Sequence, residues 1–438
     1  MMKSLRVGAL LLCLGIAAFI CFAHDSDSTL VEDIPSPGAR NAIKKAYQMT
    51  DICFTPMANF VANPTKTYHK GEKCKGLVYS SVKETHTYVG MDVSFHTFMT
   101  ALHNPKSVIY TENVSKPPYH GSNCGAYYGT VCSGLTTYAL GLKIYHRTYD
   151  FANSNCFQLV DDQSSKGVRL ADVINSGGHV QLVTAIKRNP KNGKAEEIEI
   201  CEGVRPGCRR AKLSGSKLDI LLTRKVKKWK LYRYKYLDSV RYTPLTDFVA
   251  VGDEILNPFH YNDDICTNRG DKACYIVGDT VSLNVAKGYD KMEVYKDSKL
   301  YKSLTINQDK DAFLTDLPFG DYKARLISEK KQSDFTYWKM IDVNVKIDTK
   351  KKLVRFSSKN AKPVYVDFCS SKGGLSIKNV FDLSDEDIKN GFIDVSSFTS
   401  SMKKNKYVRV HFECEYGRVI NKPQKWRYRN DRINNTSK

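Results

Sequence analysis

After Phe22 the chain has no apolar run long enough to cross a bilayer, and it lacks a zinc-finger, RNP-like or basic-zipper pattern and any long low-complexity tract. The first absence predicts a body that is soluble outside the cytoplasm or tethered by its N-terminus alone. The second argues against a nucleic-acid partner, although the formal charge is +21. With 26% charged and 11% aromatic residues, the third excludes disordered, collagenous and coiled-coil classes. What remains is an ordinary globular composition. At about 100–200 residues per domain, its length allows two to four domains, and the 42% apolar content is enough for each to bury a core.

The N-terminus reads as a secretory signal peptide over residues 1–23. Lys3 and Arg6 precede an apolar run from Val7 to Phe22, which ends in the small-x-small pattern Cys21-Phe22-Ala23. Gly8 and Gly15 interrupt the run, and acidic Asp25 and Asp27 follow where a membrane anchor would carry basic residues. Acylation of Cys21 as a lipoprotein is a further route to the surface, although bulky Phe19 and Ile20 precede it. The expected location is therefore periplasmic, cell-surface or secreted, in a bacterium. In that setting a basic surface is suited to anionic envelope polymers. Its charge is concentrated in Arg205, Arg209, Arg210 and Lys212, and in Arg224, Lys225, Lys227, Lys228 and Lys230.

Two of the thirteen cysteines, Cys13 and Cys21, belong to the leader, leaving an odd number in a compartment where disulfides persist. Pairing neighbours along the chain gives Cys53 with Cys74, Cys124 with Cys156, Cys201 with Cys208, Cys266 with Cys274, and Cys369 with Cys414. Cys132 is then the spare thiol, and nucleophilic catalysis is a good reason to keep one.

Residues 24–38 read as a flexible leader rich in Asp, Ser and Pro. Ala42, Ile43, Ala46, Tyr47 and Thr50 then recur at helical spacing, predicting a helix over 39–52. A mixed helix and strand pattern runs to about residue 255. From 259 to 357 the texture changes to short alternating runs such as Thr280 to Val285, punctuated by turns such as Pro318-Phe319-Gly320-Asp321, and this predicts a β-sandwich, Ig-like module. A second β-rich module is expected over 363–430. Neither carries a catalytic constellation.

Chemistry is concentrated in two segments. In Tyr127-Tyr128-Gly129-Thr130-Val131-Cys132-Ser133-Gly134-Leu135 a cysteine opens a helix directly after a glycine-containing turn. That position aims free N–H groups and the positive helix end at the sulfur, which lowers a thiol pKa and offers donors to an oxyanion. A lone cysteine is more often a small buried hydrophobe. About fifty residues on, Gly177-Gly178-His179-Val180 places a histidine at the start of an apolar strand, the rigid mounting that a general base needs.

Together these segments resemble the NlpC-type cysteine peptidases of bacterial cell walls, over roughly residues 120–215. The matching residues are Tyr128-Gly129-Thr130-Val131-Cys132-Ser133-Gly134-Leu135, then Ala171-Asp172-Val173-Ile174 and Gly178-His179-Val180. Val131 stands where that family usually has Asp, and Ala171 where it has Gly, which marks a divergent member. The resemblance implies an α+β papain-like catalytic domain over 39–255, followed by the two β-sandwich-like modules. It also implies Cys132 as nucleophile and His179 as base, with no metal and no cofactor. A polar residue from the next strand, about 197–202, would orient the histidine, with Glu202 preferred to Glu199. Tyr128 and Ser133 fall on the orienting or oxyanion side. Asp92 and Tyr79 are candidate substrate contacts in a segment rich in aromatics and hydroxyls.

The implied reaction is hydrolysis of an amide in peptidoglycan stem peptides or muropeptides, for instance between D-glutamate and a diamino acid, through a Cys-His acyl-enzyme. Acyl transfer shares that intermediate. A different class of function is a catalytically inactive papain-like protein that binds cell-wall or other anionic polymers.

Overall fold

The structure is a computed structural model that describes residues 30–426 except 64–65, 81–87, 115, 117–124, 225–227, 240–260, 307–310, 371–378 and 399–405. The expected signal peptide, Cys21 and Cys124 lie outside the described residues.

The expected leader is docked from Leu30 onward. Strand β1 (Val31–Glu32) pairs with the end of a long strand, Val31 opposite Arg188, and Asp33 takes a bidentate ion pair from that arginine. Helix α1 (Pro37–Asp51) follows, started by Ser36, whose hydroxyl accepts from the Ala39 N–H, and by proline at its first position. Its buried stripe is Ala39, Ala42, Ile43, Ala46 and Met49, the spacing of one helical face. Two further helices, α2 (Phe95–His103) and α3 (Cys132–Ala139), share the same core.

Those helices cover a seven-stranded antiparallel sheet. It comprises β2 (Phe157–Leu159), β3 (Val173–Asn175), β4 (Val180–Arg188), β5 (Ala195–Gly203), β6 (Cys208–Ser214) and, after helix α4 (Gly215–Thr223), β7 (Lys230–Tyr234), in the order β6-β5-β4-β3-β7-β2 with β1 on β4. Alternate residues of its strands serve two cores, as the two-residue period of a strand dictates. Val173, Leu182 and Cys201 face α1 and α3, whereas Ile174, Val183 and Ile200 face α4.

A three-stranded sheet, β8 (Ile265–Thr267), β10 (Val281–Val285) and β13 (Ala312–Leu314), forms one layer of the next module. Its partner layer contains β9 (Ala273–Ile276), β11 (Lys291–Lys296), β12 (Lys299–Thr305), β14 (Gly320–Ile327) and β15 (Thr336–Asp348), continued by β16 (Leu353–Lys359) and β19 (Phe392–Asp394). Ile265, Val281 and Leu283 of the first layer meet Met292, Val294, Tyr322 and Trp338 of the second, which makes a β-sandwich. The last sheet has β17 (Lys362–Cys369), β18 (Val380–Asp382), β20 (Tyr407–Cys414), β21 (Gly417–Ile420) and β22 (Gln424–Lys425). Val366, Phe368, Val408 and Phe412 of this sheet pack on Ile341, Val345, Val354 and Phe356 of the shared layer. Strand β15 therefore runs through both C-terminal cores.

The expected papain-like α+β fold is overturned. Strand accounts for 42% of the structure against 19% helix, and it is spread over several sheets. The helices that read as the α half of such a domain are covers on a sheet: the one expected over 39–52 is α1, fifteen residues, and the one expected at Cys132 is α3, eight residues, all of them buried.

Four of the five expected disulfides are overturned by where the strands place their cysteines, none of which is bonded in the structure; the fifth, Cys124 with Cys156, lies partly outside the described residues. Strand register gives the reason. Cys53 lies opposite Lys75 and Cys74 opposite Phe54, so the two sulfurs leave opposite faces of their ladder. Cys201 and Cys208 are diagonal rather than opposed, and Cys201 instead contacts the Thr50 and Thr184 hydroxyls. Cys266 and Cys274 belong to different sheets, and the Cys274 sulfur lies against Cys414 instead. Cys369 faces Tyr407 and Cys414 lies past Glu413, which faces Lys362, so these two occupy opposite ends of one strand pair, about 20 Å apart.

Candidate functional site

Cys132 is the first residue of α3, whose entry residue Val131 is extended and gives no side-chain cap. The N–H groups of that first turn therefore have no partner further back in the helix. Gly203, at the end of β5, packs against this entry; a β-carbon there would fall 2.8 Å from the Cys132 nitrogen. Glycine is required for the strand that carries Glu202 to come this close to the cysteine backbone.

His179 is set by the tight turn between β3 and β4. The Ser176 N–H donates to the His179 carbonyl at 3.0 Å, the His179 N–H returns a bond to the Ser176 hydroxyl at 3.1 Å, and Gly177 takes φ +78°. Upstream, Ala171 holds φ +63°, a left-handed conformation that favours glycine, at the position where the resembled family carries Gly.

The His179 Nε2 lies 2.8 Å from Glu202 Oε2. Glu202 lies directly across the ladder from Arg209, which donates from Nε and Nη2 to the other carboxylate oxygen at 3.0 and 2.9 Å. Gln181 adds a third donor at 2.9 Å. Burial alone would raise the Glu202 pKa, but these hydrogen bonds hold it down to about 2. Burial also works to lower His179. Hydrogen bonds and charge from Cys132 and Glu202 outweigh it and bring the imidazole up to about 9. The ring thus stands between a thiol and a carboxylate, with Trp229 edge-on at 6.1 Å. Glu199 is committed elsewhere, accepting from the Tyr47 and Thr184 hydroxyls.

The remaining predicted residues divide. Tyr79 is close enough to Cys132 to feel its charge, and burial pushes its hydroxyl pKa up. The Ser133 hydroxyl pairs with Tyr145 at 2.7 Å, so it is occupied within the wall. Tyr128 is turned away from the thiol and donates to the Arg269 carbonyl of the sandwich at 2.8 Å. Asp92 is buried against the last module. Its carbonyl accepts from the Arg418 N–H, and burial, opposed by Arg418, raises its carboxyl to about 6. Tyr128 and Asp92 thus serve the contacts between modules, not the thiol.

Sequence reasoning missed Arg209, Gln181, Gly203, Trp229 and Tyr145 as parts of the site. Arg209 had a signal, since it falls within a basic run just after the strand bearing Glu202, but only the hairpin register shows that the two face one another.

No family model matches the chain, and no curated protein matches it. Among solved structures it is similar to fibronectin(III)-like modules of Clostridium thermocellum CbhA, at 14% identity over 36% of this chain and 90% of that one, TM-score 0.18. It is also similar to three N-terminal domains of the bacteriophage RB49 outer capsid protein Hoc, at 9% identity over 57% and 91%, TM-score 0.21. A third is the CD2-binding domain of CD58, at 5% identity over 36% and 98%, TM-score 0.18. At these scores the likenesses carry no argument about the site, which rests on its own geometry.

Proposed function

We propose that this chain is an exported cysteine hydrolase that cleaves an amide bond of peptidoglycan stem peptides or muropeptides. The observation that carries the chemistry is the placement of His179 between the Cys132 thiol and Glu202, with Nε2 committed to the carboxylate at 2.8 Å. The other ring nitrogen is left to exchange the proton with sulfur. Glu202 fixes ring orientation and favours the imidazolium, the role of the acidic member in any such triad.

In the reaction, the Cys132 sulfur bonds to the substrate carbonyl carbon as its proton passes to His179. The N–H groups at the start of α3 receive the oxyanion. Collapse breaks the C–N bond, and the imidazolium returns its proton to the leaving amine. Water, deprotonated by His179, then attacks the thioester and releases the acid and the thiol. The substrate class rests on the motif resemblance, and the basic surface is consistent with an anionic envelope polymer as the wider target.

The test is digestion of purified peptidoglycan and soluble muropeptides by the mature protein and by Cys132→Ala, read by mass spectrometry. New stem-peptide fragments from the wild type alone support the reading and name the bond. No fragments from either, with both proteins retained on the polymer, would replace it with a binding protein.

A further inference from the structure

We propose that Cys274 and Cys414 form a disulfide that fastens the two C-terminal β modules together where they meet the first module at Asp92 and Val93. Their sulfurs lie 3.0 Å apart, the only cysteine pair in contact among the described residues. No rearrangement of the chain is needed to bring them within bonding reach.

The two cysteines come from different sheets. Cys274 is in β9, the strand that runs parallel to β15 with Cys274 beside Lys339. Cys414 ends β20, opposite Gly417 across the β20–β21 turn. Each strand is held by its own ladder, so neither sulfur can withdraw far from the other. The turn is also where the last module touches the first. The Arg418 N–H donates to the Asp92 carbonyl at 2.9 Å, Gly417 bridges to Val93, and a β-carbon at Gly417 would meet the Asp92 carbonyl oxygen at 2.5 Å. Arg269, whose carbonyl receives the Tyr128 hydroxyl, donates in turn to the Cys274 carbonyl. A covalent bond here closes a loop across 140 residues and secures these contacts.

The chemistry needs a disulfide-carrying oxidant of the kind present in oxidising compartments. Cys414 is the better attacking group. A hydrogen bond from Cys274 lowers its pKa against burial that raises it, while the same bond and burial raise Cys274. Its thiolate attacks one sulfur of the oxidant, forming a mixed disulfide and expelling one oxidant thiolate. Cys274, losing its proton, then attacks the Cys414 sulfur and expels the second oxidant thiolate. In total the two protein thiols give up two protons and two electrons, and the oxidant's S–S bond becomes two thiols. Both sulfurs are half-buried once the turn is docked, so the exchange belongs to the folding chain.

Peptide mapping of the full chain, exported to an oxidising compartment and denatured in iodoacetamide without reductant, tests this. The expected product is a cross-link between the Cys274 and Cys414 peptides that disappears on reduction, with Cys132 alkylated in both samples. In Cys274→Ser, Cys414 becomes fully alkylated without reduction. Recovery of both cysteines as alkylated monomers, even after incubation with oxidised glutathione, or linkage of either to another cysteine, overturns the proposal. Neither outcome depends on whether Cys132 is catalytic.

Discussion

Among the described residues two histidine–carboxylate–arginine sets behave in opposite ways. In the first module His179, Glu202 and Arg209 lie at the rim of the α3 entry, with the histidine side chain 26% exposed. In the last module His411, Asp367 and Arg409 are enclosed, His411 at 0%. In each set the arginine stands directly opposite its carboxylate across an antiparallel ladder, Arg209 facing Glu202 and Arg409 facing Asp367. The bonds are alike, with His411 Nε2 at 2.7 Å from Asp367 and the Arg409 guanidinium at 2.9 and 3.0 Å. The imidazoles nevertheless diverge. Burial lowers His411 to about 4, against the pull of Asp367, whereas a neighbouring thiol and carboxylate raise His179 to about 9. Residue types alone therefore do not make a site. A nucleophile and access to solvent separate a candidate catalytic set from a structural one.

The largest expected contrast comes from exchanging the histidines for glutamine. His179→Gln lowers kcat/KM on muropeptides by about 1,000-fold or more, as loss of a general base does. His411→Gln leaves the turnover of folded protein unchanged; a comparable loss there would erase the distinction. The converse concerns stability. Arg409→Met takes the guanidinium from a fully buried carboxylate and leaves Asp367 with His411, and chemical denaturation should show a loss of about 3–5 kcal/mol with activity retained.

A smaller effect sharpens the first set. Glu202→Gln should lower kcat by about 100-fold or more, because the ring loses its stabilising charge and the acceptor-only partner that fixes its tautomer. With that support gone the His179 pKa falls below about 9. The alkaline limb of the pH–rate profile, where the imidazolium can no longer protonate the leaving amine, moves to lower pH. An unmoved limb would assign it to another group.

The smallest effect is a pair of opposite slopes in thermal stability against pH. His179 is raised above its ordinary 6.5, so its contribution is complete below pH 6.5 and is lost as pH climbs through about 9. His411 is depressed from 6.5 to about 4, so the unfolded chain binds the extra proton, and stability is lost as pH falls from 6.5 through 4. Comparing Tm across pH in wild type, His179→Gln and His411→Gln should remove the alkaline slope in one variant and the acid slope in the other.

What could be read from the sequence was what depends on neighbours along the chain. Cys132 at a helix start, His179 at a strand start and Glu202 on the following strand are local placements, and the structure brings these three together. Tyr128 was placed at the site by the motif resemblance and Asp92 by the aromatic and hydroxyl content of its segment, yet their partners, Arg269 and Arg418, are 141 residues or more away and belong to other modules. The cysteine pairs failed for a related reason: nearness along the chain does not say which strand face, sheet or strand end a cysteine occupies, and Cys53 and Cys74, for example, leave opposite faces of their ladder. The fold class failed because helical spacing, as over 39–52 and from Cys132, marks a helix without showing what it packs against. The helices in the first module cover sheets and do not form a layer of their own.

Strand β15 also bears on how the chain can be divided. Trp338 and Met340, in its first half, belong to the sandwich core, and Ile341 and Val345, in its second, to the core of the last module. A truncation between the two modules must therefore remove a central strand from one of them. Neither half is a separable cassette, and heat or denaturant should melt the two C-terminal modules as one cooperative unit.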